Sequence, residues 1–299
     1  MVSPITGKDR VSLIETIDSE KLIAEWQRDL GIDISRELTG CDYVDLYRCN
    51  ETGLRFFAPA SVAGSGKLYT ELQKLDWYYM PWKWEHECLF SRMKPCERVL
   101  EVGCATGAFI ERLCAAGFQA EGIELNAPAV AEARRKGLPV SERDLSELNA
   151  SEVGLCDLVC SFQVLEHLAD PSAFIRDSLA LIKKGGRFIC SVPNQASFLG
   201  HQYNVLDMPP HHMTQWDEHV FEAIQHLFPM GLSYVAFEPL AKYHIEAYLE
   251  ANRNRLLKGS RLFRLLFNRW TLPVLGRLLR MGGWKFCRGQ SIYVEFTKK

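Results

Sequence analysis

The apolar positions of this chain fall into short blocks of two periods. Val99, Leu100 and Val102 form a brief apolar run of the kind a buried strand shows. The run ends in a turn carrying Gly103 and Gly107, and Phe109, Ile110 and Leu113 then recur at helical spacing. Residues 120–124, a stretch around Val140, Cys156–Phe162 and residues 185–194 give further strand-like runs. Residues 217–228 read as a helix and residues 232–237 as a sixth strand, and residues 291–297 alternate apolar and polar positions as a seventh. Upstream, Ser19 is placed to cap a helix with Leu22, Ile23, Trp26 and Leu30 on its apolar face and Gly31 at its end. Residues 41–59 predict a small β-hairpin turning at residues 50–53. Residues 69–90 are dense in aromatics and read as a helical cap over the sheet.

The chemistry concentrates at the first glycine turn. A strand that breaks at glycines into a helix lets a ligand approach the backbone closely. The spacing is Glu101-x-Gly103-x-x-x-Gly107, which lacks the Gly-x-Gly-x-x-Gly seat a dinucleotide needs. No Tyr-x-x-x-Lys pair sits near a strand end, so a nicotinamide-dependent reductase is disfavoured. A carboxylate at the end of the strand suits a cationic or amine-bearing ligand. This pattern resembles the nucleotide-binding motif of the class I S-adenosylmethionine-dependent methyltransferases. The order and spacing of the later segments extend the resemblance over roughly residues 95–240.

The resemblance implies a Rossmann-like α/β fold. Its sheet would have seven mostly parallel strands with a terminal antiparallel strand, and helices on both faces. It implies S-adenosyl-L-methionine as cofactor. Glu101, Gly103, Cys104 and Gly107 belong to the loop that would hold it. Glu124, with Leu125 beside it, lies about 20 residues beyond that loop, where an acid accepts bonds from ribose hydroxyls. Asp144 and Leu145 fall where the family faces the adenine amino group, and Phe162 and Gln163 end the fourth strand. Tyr78 or Tyr79, from the pre-sheet segment, would line the cofactor or acceptor pocket. The implied activity is methyl transfer to a small-molecule, glycan or carrier-linked acceptor, at oxygen. Nitrogen or carbon transfer and non-catalytic cofactor binding are the alternatives. The intact set of Glu101, Gly103, Gly107, Glu124 and Asp144 speaks against the last.

Composition narrows the class. A chain of 299 residues, 47% hydrophobic and 24% charged, suits a globular protein with a sizeable core. A net charge of -2 argues against nucleic-acid binding. There is no basic start leading into an apolar run, nor an apolar stretch of about 18 residues, so the expectation is a cytoplasmic protein without a spanning helix. Ten cysteines without a Cys-x-x-Cys pair read as reduced, mostly buried thiols. Some relatives of the resembled family carry a zinc ribbon where the hairpin lies. Only Cys41 and Cys49 persist here, which predicts a metal-free remnant, and no other metal site is expected. The reading divides the chain into an N-terminal extension and cap, 1–94, and a methyltransferase domain, 95–299.

Two further features remain. His167 follows the fourth strand, and His211 and His212 lie on the long Pro-Pro-His-His loop after the fifth, at the sheet's functional edge. They are the candidate bases for an oxygen acceptor. Residues 251–290, within an insert at 240–290, carry ten basic residues and no acid, interleaved with leucine, phenylalanine and tryptophan. This predicts a mostly helical basic lid that suits an anionic acceptor or a peripheral membrane contact. The oligomeric state is not encoded in any of these patterns.

Overall fold

The structure is a computed structural model, and it describes residues 1–148, 153–257 and 270–299. The strands are β1 (Val11–Asp18), β2 (Tyr43–Cys49), β3 (Arg55–Ala58), β4 (Arg98–Val102), β5 (Gln119–Glu124) and β6 (Val140–Glu142). They continue with β7 (Cys156–Phe162), β8 (Ile182–Pro193), β9 (Thr214–Gln215), β10 (Met230–Pro239) and β11 (Arg288–Lys298). The helices before the main sheet are α1 (Ser19–Leu30), α2 (Gly66–Leu72) and α3 (Trp84–Phe90). Those within and after it are α4 (Ala108–Ala115), α5 (Ala127–Arg135), α6 (Leu145–Leu148), α7 (Pro171–Leu181), α8 (Glu218–Ile224), α9 (Ile245–Leu257) and α10 (Thr271–Arg280).

Seven strands form one sheet in the order β10-β11-β8-β7-β4-β5-β6. The pairings from β8 to β6 are parallel, while β11 runs antiparallel to both β8 and β10. The centre of a parallel sheet is covered on both faces, so its strands are apolar throughout rather than alternating. Strand β7 shows this: every residue except Asp157 is buried. Alternation decides which face each side chain joins. Leu100 and Val102 pack with α7 and α8 residues such as Phe174, Ile175 and Phe221. Val99 packs on the other face with Phe109, Ile110 and Leu113 of α4 and Val130 of α5. Glu101 shares the parity of Val99, so its carboxyl is turned toward the face that α3, α4 and α5 cover.

A second, four-stranded sheet runs β1-β2-β3-β9. The hairpin expected at residues 41–59 is there as β2 and β3, closed by Gly53 at φ 81°. Strand β1 has no counterpart in the sequence reading, because most of its side chains are exposed and carry no apolar stripe. The cap of α1 is Asp18 rather than Ser19: its carboxylate accepts from the Lys21 amide, while Ser19 is already helical and buried. Cys49 ends β2 and Cys41 lies two residues before the strand begins, so the two thiols flank the strand from opposite ends. None of the ten cysteines forms a disulfide.

Strand β9 comes from the loop after β8, so the small sheet is completed from the far side of the chain. Its core joins Leu22, Trp26, Ile34 and Phe57 to Val205 and Met213 of that loop. The indole of Trp26 donates to the Pro209 carbonyl at 3.1 Å, and the Gly64 amide donates to Pro210 at 2.7 Å. The aromatic segment is helical only in α2 and α3. Residues 73–83 between them are turns and irregular chain, where Pro81 lacks the amide a helix needs. Within the basic insert, α9 and α10 pack together around Leu249, Leu272, Leu275 and Leu279. Residues 258–269, which hold four of the ten basic residues and much of the apolar series, lie outside the described residues. No helix among the described residues is long and apolar enough to cross a membrane.

Candidate active site

The carboxyl ends of β4, β5, β6 and β7 meet at one edge of the large sheet. The turn after β4 carries Gly103 at φ 76°, and a Cβ there would stand 2.6 Å from the Val164 side chain. Gly107, at φ 77°, starts α4 in the same left-handed region. Both positions therefore demand glycine, and the backbone between them is tightly wound, with Ala105 also at positive φ.

Glu124 holds this turn in place. Its Oε2 accepts from the Ala105 amide at 2.9 Å, and its Oε1 accepts from Leu125 and Asn126 amides at 2.8 Å each. A carboxylate so fixed still has lone pairs for ribose hydroxyls. Leu125 contributes this amide while its side chain stands in solvent, 67% exposed. Asn126 donates on to Gln73 and to the Tyr79 hydroxyl, which ties residues 73–79 to the tip of β5.

Glu101 is 4% exposed, and its Oε2 is buried without a hydrogen-bond partner. Burial pushes its carboxyl up to about 8; Lys83 opposes that rise and Glu124 adds to it. It lines a pocket together with Tyr79, Lys83, His86, Phe109 and Phe162, floored by the 103–106 turn. The His86 ring stacks on Phe109 at 5.1 Å, and burial lowers its pKa to about 3, so it is a neutral wall. An orphaned buried acid beside a glycine turn fits a ligand that brings a cationic group and bonding hydrogens, as the ammonium and sulfonium of S-adenosylmethionine would.

Asp144 follows β6, is exposed, and its Oδ1 accepts from the Ser146 amide at 2.9 Å and hydroxyl at 2.5 Å. Leu145 is buried in the core of the α7 face. Cys104 is buried and its thiol is pushed far up by burial, so it packs rather than reacts. Gln163 sits at φ 58°, and its side-chain amide donates to Glu85 Oε1 at 3.2 Å and to Ser191 at 3.4 Å. Of the two tyrosines, Tyr79 lines the glycine-turn pocket, while the Tyr78 hydroxyl donates to His211 Nε2 at 2.9 Å.

Beyond the β7 tip, the chain brings His167 together with the adjacent pair His211 and His212. His167 and His211 have ring centroids 4.4 Å apart, His211 and His212 4.6 Å, and His167 and His212 5.0 Å. The loop that carries the last two is sewn to the β7 end: the Met213 amide donates to the Glu166 carbonyl and the Thr214 hydroxyl to Leu165. His167 Nδ1 donates to the His211 carbonyl at 2.7 Å and His211 Nδ1 to the Leu206 carbonyl at 2.8 Å. His212 Nδ1 lies 3.4 Å from Asp207 Oδ1. Burial lowers His167 to about 3 and holds His211 well below its ordinary value, so both rings are neutral. Tyr69 packs edge-on against His167. Glu166 is 2% exposed with Oε2 unpartnered, and burial raises its carboxyl to about 7 against the opposing charge of His212.

The sequence reading missed Tyr79's neighbours Lys83 and His86, the clamp at Asn126, and Asp207 behind His212. Asn126 had a signal, as the residue before a helix that opens Ala-Pro. Asp207 had none, because only the loop's return toward β7 gives it a partner.

Glu124→Ala removes both the clamp on the turn and an acceptor at the β5 tip. Losing a bond to a charged group costs about 1.5–3 kcal/mol, or roughly ten- to a hundredfold in S-adenosylmethionine affinity. Calorimetry on Glu124→Ala and Asp144→Ala tests this, and unchanged affinity in both would remove the assignment.

The chain is similar to known methyltransferases. A methyltransferase-domain family model matches residues 53–240. A ubiquinone biosynthesis O-methyltransferase of Xanthomonas axonopodis is 34% identical over 116 residues, 36% of this chain and 48% of that protein. A probable S-adenosylmethionine-dependent methyltransferase of Mycobacterium tuberculosis is 29% identical over 122 residues, 39% of this chain and 44% of that one. The chain thus spans about half the length of the curated relatives it matches. A solved S-adenosylmethionine-dependent methyltransferase of Archaeoglobus fulgidus is 19% identical with a TM-score of 0.47, covering 79% of this chain and 95% of that one. A family match over more than half of the chain, on a seven-stranded, mostly parallel sheet, makes this protein a member of the S-adenosylmethionine-dependent methyltransferase family.

Proposed function

We propose that the enzyme methylates an oxygen of a small-molecule, glycan or carrier-linked acceptor held between the 194–216 loop and the glycine turn. The observation that carries this reading is the gathering of His167, His211 and His212 beside the cofactor pocket. The Val164 side chain, three residues before His167, occupies the space a Cβ at Gly103 would need. Tyr78 and Tyr79 are neighbours in sequence yet face the two sites in turn. The name of the Xanthomonas relative supports oxygen as the acceptor atom.

S-adenosylmethionine, when bound, supplies a methyl group on a positively charged sulfur. In this reading Glu101 pairs with its ammonium, Glu124 takes its ribose hydroxyls, and Asp144 faces the adenine amino group. Tyr79, His86, Phe109 and Phe162 exclude water from the reacting end. An acceptor hydroxyl becomes a good nucleophile as its proton leaves, and the histidine centre is where that proton is drawn off.

The test is a product analysis. Enzyme, carbon-13 methyl-labelled cofactor and a cell extract are combined, and the labelled product's methyl shift identifies the atom methylated. An O-methyl product is expected; an N-methyl or C-methyl product would sink the reading. His167→Ala, His211→Ala and His212→Ala are read beside it. At least one should lower turnover about a hundredfold or more with cofactor affinity retained.

A second element concerns the basic insert. Val274 and Leu278 of α10 are exposed, with Trp270, Met281 and Phe286 beyond its ends. Arg277, Arg280 and Lys285 lie among them. Apolar side chains ringed by cations suit an anionic lipid surface. Attraction of about 1 kcal/mol per basic residue near such a surface gives reversible, salt-sensitive binding. Co-sedimentation with anionic but not neutral vesicles, lost at high salt, is the expected result; no vesicle binding leaves a solvated lid.

A further inference from the structure

We propose that His167, His211 and His212, with Glu166 as a fourth ligand, form a binding site for one divalent first-row transition cation. This departs from the sequence expectation that the chain holds no metal. It rests on the reading of the histidine centre as the acceptor site, and it adds that a cation there coordinates the acceptor's oxygen.

The argument starts from geometry. One ring nitrogen from each histidine lies within 4.8 Å of the other two. The contacts at Nδ1 say which nitrogen of each ring is left to offer a lone pair. Each Nδ1 is turned toward an oxygen: the His211 carbonyl, the Leu206 carbonyl and the Asp207 carboxylate. Metal-binding histidines show this arrangement, because a bond at one nitrogen fixes the tautomer and aims the other nitrogen's lone pair. A packing cluster has no need for three rings anchored in the same sense. The fourth donor is a carboxylate that the fold has buried. Glu166 Oε1 is 3.9 Å from His167 Nε2, and its Oε2 has no partner. A buried carboxylate is costly unless something positive meets it.

Imidazole with one carboxylate is a donor set for zinc, cobalt, nickel or iron rather than for magnesium or calcium. Donors about 2.1 Å from one ion in a tetrahedral four-ligand site stand about 3.4 Å apart. The histidine nitrogens lie within 4.8 Å of one another, so the widest pair must close by up to about 1.4 Å, through rotation of the side chains. Tyr78, which donates to His211 Nε2 at 2.9 Å, gives way as the cation takes that lone pair.

The full-length protein, stripped with a chelator, is titrated with Co²⁺ and followed by calorimetry and visible absorption. One Co²⁺ per chain is expected, with d–d bands and without a thiolate charge-transfer band, which separates this site from the ten cysteines. Asp207→Asn alters only the partner of His212 and should weaken Co²⁺ binding roughly ten- to a hundredfold. His211→Ala/His212→Ala should lose the cobalt spectrum while still binding S-adenosylmethionine, the check that it folds. No Co²⁺ binding by the folded protein, a thiolate band, or a spectrum that survives the double variant would overturn the proposal. Undiminished O-methylation by the stripped enzyme would also overturn it, and would leave the oxygen reading standing. A histidine-dependent cobalt spectrum beside an N- or C-methyl product would do the reverse.

Discussion

Glu101→Gln is expected to weaken S-adenosylmethionine binding about thirtyfold to several thousandfold at pH 8, and to flatten its pH dependence. Truncating one partner of a buried charge pair costs about 2–5 kcal/mol, which sets that range. The pH dependence follows from the carboxyl's pKa of about 8, raised by burial. Below that value the free enzyme holds a proton which a cationic ligand must displace. Affinity should therefore rise from pH 6 to about 8 with proton release, then level off. Stability moves the other way. The folded pKa lies above the ordinary 4.5, so the native state binds the extra proton, and the free protein loses stability as pH rises between 4.5 and about 8. The glutamine variant lacks that loss, so without cofactor it should be no less stable than the parent at pH 8. Calorimetry across pH, in buffers of different ionisation enthalpy, reads both the affinity and the proton count. An unchanged affinity, or one that falls as pH rises, would remove Glu101 from the cofactor site.

The largest expected effect on folding lies at the opposite end of the sheet. Arg187 of β8 is 8% exposed and bonds to two acids. Its Nη2 donates to both oxygens of Glu97 at 2.9 Å and its Nη1 to Glu295 Oε2 at 3.2 Å. Glu295 also accepts from Arg92 at 2.6 Å and from the Tyr293 hydroxyl at 2.9 Å. Burial would raise the Glu295 carboxyl, but Arg92, Tyr293 and Arg187 together outweigh it and hold it below its usual range. Arg187→Met leaves Glu97 and Glu295 buried without their shared cation. Breaking such a set from one side costs about 3–5 kcal/mol, a large part of a typical domain's stability. Urea unfolding at neutral pH measures it, and a loss under about 1 kcal/mol would show the network to be dispensable. Because Glu295 is held low, its contribution is present above the unfolded carboxyl pKa and fades as pH falls through the folded value. Parent and variant should therefore converge in acid. Cofactor affinity of the folded variant should match the parent, since the network and the pocket occupy opposite ends of the strands.

Sequence alone determined the framework of the cofactor half. Strands β4 and β7 are buried on both faces, so each had to be a mostly apolar run visible without a structure, while β5 exposes Gln119 and Glu121. Gly103 and Gly107 were visible for a local reason: both lie at positive φ, where other residues are strained. Glu124 is placed by its distance from the glycine loop, and Asp144 by resemblance to the family. The capping of α1 was misplaced by one residue, since Asp18 and Ser19 both make good caps and only the backbone course chooses. Strand β1 was hidden, because a mostly exposed strand carries no stripe.

Tertiary structure decided the acceptor half. His167 and His211 are 44 positions apart, and their meeting depends on the loop after β8 folding back to the β7 tip. That return is held by groups with no local signature: the Trp26 indole on Pro209, the Gly64 amide on Pro210, and a two-residue strand completing the N-terminal sheet. The unpartnered oxygens of Glu101 and Glu166 were equally invisible in the sequence. An acid's position along a chain says where it can reach, but its burial depends on what the rest of the fold lays over it. The glycine turn answers to strain within a few residues, and so it is written locally. The histidine centre answers to packing between segments far apart in the chain, and so it exists only once the fold has closed.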